Sequence, residues 1–247
     1  NENHIYAGTE SGGLFESFDQ GVHWNLVPNW DKHMHISSLA QGSDGTIYVG
    51  TGQKISNFII DNIGGAGVYY LNPNDPSAVW TLIPGTNTWN IQSIATNQVN
   101  NKIFIGSHNG LFSWDKDQGG VPQNALSNTN TCHEVKVSSN GQLVLCRLGT
   151  NPASGTLVSN DGGVSFTSIH GSSADNLIPA GSYIFCKFVI SKIPVNGSYV
   201  CYLIGRTSNS VITFRSDDNG LTWKQVSLLP QQVIGNVNTS YYAASLW

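Results

Sequence analysis

Short hydrophobic runs rich in β-branched and aromatic residues recur along the chain, and polar, Gly-rich segments separate them. The clearest run, Ile5-Tyr6-Ala7-Gly8-Thr9, recurs as Ile47-Tyr48-Val49-Gly50-Thr51 and as Ile103-Phe104-Ile105-Gly106-Ser107. Looser copies cover 143–147 and 202–206. Runs of this length and composition are typical of β-strands. Each one predicts the second strand of a repeating β unit.

A further hydrophobic run precedes most of these second strands, and another follows each of them. The preceding runs lie at 36–40, 91–95, 133–137 and 185–189, and the following runs lie at 13–15, 67–70, 110–112, 155–158 and 211–214. The first unit has no preceding run, whereas 242–247 provide a matching one at the other end of the sequence. We therefore predict that this C-terminal strand completes the first unit and hides its sheet edge.

Each third strand leads into a polar segment, and three of these segments share the pattern Ser-x-Asp-x-Gly-x-x-aromatic. The residues at the four named positions of the pattern are Ser17, Asp19, Gly21 and Trp24; Ser159, Asp161, Gly163 and Phe166; and Ser216, Asp218, Gly220 and Trp223. The Asp can accept hydrogen bonds from the turn backbone, and the Gly can adopt a positive φ. The aromatic residue is expected to begin the next strand and to pack beneath the turn. The pattern predicts a structural corner between two strands.

The octet resembles the Asp-box (BNR) repeat of β-propeller proteins such as sialidases, xyloglucan-degrading glycoside hydrolases and sortilin-like receptors. All four key positions match in every copy, and decayed copies begin at 72 and 113. The resemblance implies that the box is a folding corner and not a catalytic site. It also implies that ligands bind the opposite face, on the loops between second and third strands and between blades.

The boxes begin at 17, 72, 113, 159 and 216, a spacing close to one four-stranded propeller blade. We therefore predict an all-β fold, a five-bladed β-propeller of four-stranded antiparallel blades, with the ring closed by the C-terminal strand. The prediction treats 1–247 as one domain. Its blades cover about 1–28 plus 241–247, 36–83, 90–127, 132–169 and 183–229.

Composition excludes several classes of function. Charged residues make up 11% of the 247 residues, far below the usual quarter. The net charge is −4, and the 11 Lys and Arg form no basic stripe, so we predict no nucleic-acid partner. No apolar run reaches the ~18 residues that a membrane span needs, so we predict no membrane insertion. The first residues show no signal peptide, as in a processed secreted chain or a cytosolic one; we expect a secreted or cell-surface protein.

Four cysteines lie in the fourth and fifth predicted blades: Cys132, Cys146, Cys186 and Cys201. In each blade one lies on the first strand and one on the second. This placement suggests two cross-strand disulfides, but four buried thiols would pack equally well. Sequence alone leaves the pairing open.

The connection 29–35 is the richest of those expected on the ligand face, since it holds an aromatic residue, an acid and two His. We predict a binding face that carries Trp30, Asp31, His33 and His35, with Trp89 and His108 as weaker members. Exposed rings beside polar side chains would suit sugar stacking; packing of both Trp as wedges between blades is the alternative. The longest connection, 51–66, carries Lys54, Phe58 and Asp61.

A metal site is considered because His33 and His35 would point to the same side of an extended segment. No third ligand lies at a diagnostic spacing, and solvated or hydrogen-bonded His is the alternative. We predict no metal and no cofactor.

Signatures of catalysis are weak. A sialidase needs an arginine cluster, and the chain has only Arg147, Arg206 and Arg215. A glycosidase needs two carboxylates across the sugar bond. Four acids are expected on the ligand face, at Glu10, Asp31, Asp61 and Asp175, and no spacing singles out a pair. We therefore predict no catalytic residues and a non-catalytic extracellular module that binds a glycan or a protein partner. A glycoside hydrolase-like domain and a structural module of a larger surface protein are the alternatives.

Overall fold

The computed structural model describes residues 3–54, 62–127, 129–149, 155–179, 185–206 and 210–230. Within these ranges the fold is all-β apart from one three-residue 3-10 helix at Ser173–Asp175. No helix in the described part of the chain has the length and apolar character needed to cross a membrane.

The strands are short, and most begin at one of the hydrophobic runs. In chain order they are β1 Ile5–Gly8, β2 Leu14–Ser17, β3 Asn25–Leu26, β4 Ile36–Gln41, β5 Ile47–Thr51, β6 Gln53–Lys54, β7 Asn62–Ile63, β8 Val68–Leu71, β9 Thr81–Leu82, β10 Ile91–Thr96, β11 Lys102–Ser107, β12 Gly110–Asp115, β13 Gln123–Asn124, β14 Cys132–Val137, β15 Val144–Leu148, β16 Thr156–Ser159, β17 Thr167–Ser168, β18 His170–Gly171, β19 Ile178–Pro179, β20 Phe185–Ile190, β21 Cys201–Arg206, β22 Ser210–Ser216 and β23 Lys224–Pro230.

Five larger sheets are present among the described residues, and each is an antiparallel meander in chain order. Four have four strands, in the orders β4-β5-β8-β9, β10-β11-β12-β13, β14-β15-β16-β17 and β20-β21-β22-β23. The structure thus confirms an all-β fold of four-stranded antiparallel sheets. The first sheet, β1-β2-β3, has three strands. Its predicted fourth strand, at 242–247, lies outside the described residues.

Two small ribbons lie in segments that we expected to be loops. Antiparallel strands β6 and β7 pair within the long connection between β5 and β8. Parallel strands β18 and β19 pair between the fourth and fifth larger sheets. Each has only two residues per strand, too few for an alternating hydrophobic pattern to appear in the sequence.

The chain divides into two compact units, each with its own core. The first unit comprises 1–96 and 100–129. Its buried side chains form two clusters, one around Leu14, Trp30 and Val49 and one around Tyr48, Ile91 and Ile105.

The second unit comprises 97–99 and 130–247. One cluster of buried side chains fills its described part and includes Leu145, Phe188, Leu203, Phe214 and Trp223. These residues come from the sheet β14–β17 and from the sheet β20–β23, so apolar burial joins the two sheets within this unit.

The glycine of the repeated second-strand motif has a packing role. A Cβ on Gly8 would lie 2.3 Å from the side chain of Ile36, and one on Gly50 would lie 2.5 Å from that of Ile91. Each Ile is the first residue of the first strand of the next sheet. The missing side chain therefore lets one sheet approach the next within the first unit.

Of the two alternatives that the sequence left open for the cysteines, the structure shows the second, because all four are buried free thiols. The strand register explains this. Cys186 lies opposite Gly205, and Cys201 lies opposite Ile190, at the other end of the same strand pair. Cys146 lies opposite Val135 and not opposite Cys132. Burial raises the pKa of Cys132 to about 12, so this thiol remains protonated and unreactive at neutral pH.

Candidate functional site

The three octets, which we number 1 (17–24), 2 (159–166) and 3 (216–223), share one hydrogen-bond pattern. In octet 3 the Ser216 hydroxyl donates to Asp218 Oδ1 at 2.7 Å and accepts from the Gly220 N–H at 3.0 Å. Asp218 Oδ1 accepts from the Thr222 N–H at 2.9 Å. Octets 1 and 2 repeat these three bonds within 0.2 Å.

The glycine that ends each turn has a positive φ, for example 90° at Gly21 and 79° at Gly220. The aromatic residues differ in burial, because Trp223 is 2% exposed and Trp24 is 42% exposed. Each lies one residue before the next strand instead of beginning it. Trp223 Nε1 donates to the Gly220 carbonyl at 2.8 Å, so it packs beneath its turn.

Hydrogen bonds hold the pKa of the octet carboxylates low. The His23 backbone N–H keeps the pKa of Asp19 well below its ordinary value, and the Ser159 hydroxyl does the same for Asp161. Burial raises the pKa of Asp218, but its bonds to Thr222 and Ser216 outweigh this and lower it. These carboxylates are therefore ionised at neutral pH, and each accepts several hydrogen bonds from its own turn.

A candidate site lies at the opposite end of the first sheet. Successive connections in an antiparallel meander alternate between the two ends of the sheet. Octet 1 connects β2 to β3, so the β1–β2 turn and the β3–β4 connection share the other end. Two backbone bonds hold these segments together, Gly13 N–H to the Met34 carbonyl at 2.8 Å and Ile36 N–H to the Thr9 carbonyl at 2.9 Å.

A groove of about 490 Å³ opens between these two segments. We call it the β1–β4 groove. It is lined by Glu10, Ser11, Asp31, Lys32, His33, Met34 and His35. This volume lies within the range of small-molecule sites. The groove combines acceptors, donors and one exposed thioether, since Met34 is 54% exposed.

The expectation that Trp30 offers an exposed ring for stacking is wrong. The indole is 5% exposed and meets Trp80 and Tyr69 edge-on at centroid distances of 5.1 and 5.7 Å. Its Nε1 donates to the His33 carbonyl at 2.8 Å. Trp30 therefore packs between the first two sheets, and its hydrogen bond to the His33 carbonyl fixes the backbone of the groove.

Asp31 and Lys32 form the charged rim of the groove. Their side chains make an ion pair, and the Asp31 side chain is 78% exposed. The hydrogen bond from Lys32 lowers the pKa of Asp31. An ionised, exposed carboxylate is a strong hydrogen-bond acceptor, whereas a general acid needs a raised pKa.

The two histidines have different surroundings. His33 Nδ1 lies 3.1 Å from the His35 backbone nitrogen and 3.3 Å from the His35 carbonyl oxygen, so His33 is held against the backbone of His35. His35 is 4% exposed, and its carbonyl accepts the Gly52 N–H at 3.2 Å. Among the residues that the structure describes, no group of three or more His, Cys, Asp or Glu could hold a metal ion.

Trp89 and His108 lie apart from the residues that line the groove. Trp89 is half-buried and packs against Phe112, with ring centroids 4.3 Å apart. His108 Nδ1 accepts the Asn90 N–H at 3.1 Å, and the Asn90 carbonyl accepts the His108 N–H at the same distance. These two residues therefore stabilise the β9–β10 connection against the β11–β12 turn.

Sequence reasoning missed part of the groove lining. Ser11, Lys32 and Met34 were not chosen, although all three lie in connections expected on the ligand face. Glu10 was noted only as one of several acids. The signal that could have found them is position in the chain, because Glu10 and Ser11 come shortly before β2, and 31–35 come directly before β4. Residues 55–61 of the long connection, including Phe58 and Asp61, lie outside the described residues.

Comparison with known proteins identifies similar folds. No protein-family model matches the chain, and no curated protein matches it. Among solved structures, a GH74 enzyme from Niastella koreensis has a TM-score of 0.61 and 20% identity, covering 92% of this chain and 30% of that one. An auxiliary nutrient binding protein from Bacteroides thetaiotaomicron has a TM-score of 0.59 and 15% identity, covering 91% and 54%.

A second auxiliary nutrient binding protein, from Bacteroides ovatus, has a TM-score of 0.56 and 12% identity, covering 91% of this chain and 54% of that one. The chain thus spans between about a third and about a half of the length of these structures. At these identities the likeness shows the fold alone, and the antiparallel four-stranded sheets are consistent with a β-propeller.

Proposed function

We propose that the β1–β4 groove binds a glycan and that the chain is a non-catalytic, secreted or cell-surface binding module. The observation that carries this proposal is the set of polar side chains along a groove whose lining surface is otherwise mostly apolar. Asp31 and Glu10 can accept hydrogen bonds from sugar hydroxyls, Lys32 and Ser11 can donate to hydroxyl oxygens, and the His33 ring can do either. Two solved structures of similar fold are described as auxiliary nutrient binding proteins, which is compatible with a binding role.

None of the seven lining residues is Trp, Tyr or Phe, so the imidazoles of His33 and His35 are the only rings in this lining. Met34 is its main apolar contact. Affinity for one sugar unit should therefore be weak, with a Kd of about 1 mM or above. A multivalent glycan would bind more tightly through effective concentration.

A glycoside hydrolase-like activity is the second candidate, because Glu10 and Asp31 place two carboxylates on one groove. The lowered pKa of Asp31 argues against it as the acid of such a pair. Asp31 could still act as a base or a nucleophile. Activity assays are therefore part of the test.

The test begins with a glycan array and a panel of chromogenic glycosides, followed by calorimetric titration of the best-bound oligosaccharide. Asp31→Asn should weaken binding about tenfold, because a charged acceptor is lost. His33→Gln should weaken it similarly. The matched control is Asp117→Asn, an exposed acid outside the groove that accepts from Asn101, and it should leave binding unchanged.

Two results would contradict the proposal. Equal affinity in the wild type and in Asp31→Asn and His33→Gln would move the site elsewhere on the protein. Turnover of a glycoside that disappears in Asp31→Asn or Glu10→Gln would replace binding with hydrolysis.

We further propose that the five larger sheets are the blades of a five-bladed propeller and that the octets are its Asp boxes. The shared hydrogen-bond pattern of the octets supports the second point. The proposed closing strand within 241–247 lies outside the described residues. It follows from the three-stranded first sheet and from the matching hydrophobic run in the sequence.

Deleting 241–247 tests the closure. The truncated chain should aggregate or melt at a clearly lower temperature, because the first blade would lose a strand and expose an edge. A monomer with unchanged melting, measured by light scattering and calorimetry, would contradict it.

A further inference from the structure

In each unit, a side chain on the first strand of one sheet accepts a backbone N–H from the first strand of a neighbouring sheet. In the first unit the Ser38 hydroxyl of β4 accepts the N–H of Ile94 in β10 at 2.9 Å. In the second unit Glu134 Oε2 of β14 accepts the N–H of Phe188 in β20 at 3.0 Å. Both acceptors follow an irregularity at the same point of the strand. A neutral hydroxyl therefore suffices for this link, and the carboxylate at Glu134 is not needed for it.

Burial of a carboxylate is energetically unfavourable at the position of Glu134. Its side chain is 3% exposed, and burial raises its pKa although Lys187 and Lys136 lower it. Because burying a carboxylate costs free energy, the charge must have another consequence. The second oxygen, Oε1, lies 3.5 Å from Lys187 Nζ and 3.8 Å from Lys136 Nζ. One carboxylate thus holds two ammonium groups beside each other.

The two lysines reach solvent, since their side chains are 47% exposed at Lys136 and 38% exposed at Lys187. Arg147 lies opposite Glu134 in the register of β14 and β15 and is buried. Burial, with the positive charges of Arg147 and Lys187, lowers the pKa of His133 to about 4. Burial is the larger of these causes, and the two positive charges add to it.

Arg147 and the beginning of β14 lie away from octet 2, whereas Lys136 lies nearer to the octet end of β14. Octet 2 follows β16, so the end of β15 and the beginning of β14 lie at the opposite end of that sheet. Glu134, Lys136 and Lys187 lie on the first strands of their sheets, and Arg147 lies near the end of β15. The cluster therefore uses none of the side chains that build the turns.

We propose that Lys136 and Lys187 form an anion-binding site, with Glu134 as the positioning residue that holds their ammonium groups together. The ligand class is a small molecule that bears a carboxylate or a phosphate group, such as an acidic sugar or a sugar phosphate. This site is separate from the β1–β4 groove and does not depend on glycan binding there.

The test uses the full chain, NMR titration at low ionic strength and three probes: glucuronate, glucose and inorganic phosphate. Glucuronate or phosphate should shift the Phe188 and Lys187 amide signals saturably, and glucose should not. Saturation by glucuronate alone assigns a carboxylate, and saturation by phosphate alone assigns a phosphate. The double variant Lys136→Ala/Lys187→Ala should weaken binding about tenfold. The matched control, Lys224→Ala on β23, removes an exposed lysine of the same unit and should change nothing.

Glu134→Gln tests the positioning role. The amide oxygen can still accept the Phe188 N–H, but the negative charge that holds the two ammonium groups together is gone. Anion binding should therefore weaken roughly fivefold. Unchanged or tighter binding in Glu134→Gln, or no saturable shift with either anion in the wild type, would overturn the proposal. If Glu134→Gln does not fold, Lys136→Ala alone decides, because unchanged anion affinity in that variant also overturns it.

Discussion

Trp30 connects the groove to the core of the first unit. Its ring is buried between the first two sheets, and its Nε1 fixes the His33 carbonyl. Trp30→Ala should therefore lower the free energy of unfolding by about 3–5 kcal/mol, the cost of removing a large core side chain. Urea unfolding measures this change. Trp24→Ala, at a 42% exposed Trp, should cost clearly less, and equal losses would contradict the assignment of Trp30 to the core.

The sequence showed where Trp30 lies but not what surrounds it. Its partners, Tyr69 and Trp80, are about 40 and 50 positions away in the chain and belong to the second sheet. No local pattern encodes that contact, so exposure and burial were equally open. The pairing of the cysteines stayed open for the same kind of reason. A shift of a few positions in strand register decides whether two thiols can meet.

At the scale of single elements, the octets are turns stabilised by an ionised carboxylate. Asp218→Ala should lower the free energy of unfolding by about 1–3 kcal/mol, because it leaves the Thr222 N–H and the Ser216 hydroxyl without their acceptor. Asp217→Ala is the matched control. The Asp217 side chain is 60% exposed and pairs with Arg215, which lies outside the turn. Similar losses in the two variants, measured by chemical denaturation, would contradict a special role for the octet Asp.

The octets also predict how stability depends on pH. Asp19, Asp161 and Asp218 have lower pKa values in the folded protein than the ordinary 3.8. A carboxyl group with a lowered pKa binds fewer protons in the folded state, so it stabilises the fold above its unfolded pKa. That contribution should be lost as the pH falls below about 4. Melting temperatures between pH 7 and pH 2 measure this, and a flat profile in that interval would contradict it.

The strands themselves were largely predictable from the sequence. The runs at 36–40, 47–51 and 91–95 correspond to β4, β5 and β10, because short hydrophobic runs bounded by polar segments leave a clear local signal. The ribbon of β18 and β19 had no such signal. Its parallel pairing of His170 with Ile178 depends on tertiary contacts.

On the scale of the whole molecule, the two units carry different candidate sites. The β1–β4 groove of the first unit has an acidic rim at Glu10 and Asp31. The second unit has a cationic cluster at Lys136 and Lys187. A neutral oligosaccharide should therefore not displace glucuronate or phosphate. The affinity of each ligand should be the same in the presence and in the absence of the other.

A crystal structure of the protein with the best-bound oligosaccharide tests the central claim most directly. We predict an intact oligosaccharide in the β1–β4 groove, with hydroxyls bonded to Asp31 and His33, on a propeller whose octets lie at the opposite face. A ligand bound at the octets, or a cleaved glycan in the groove, would contradict this account.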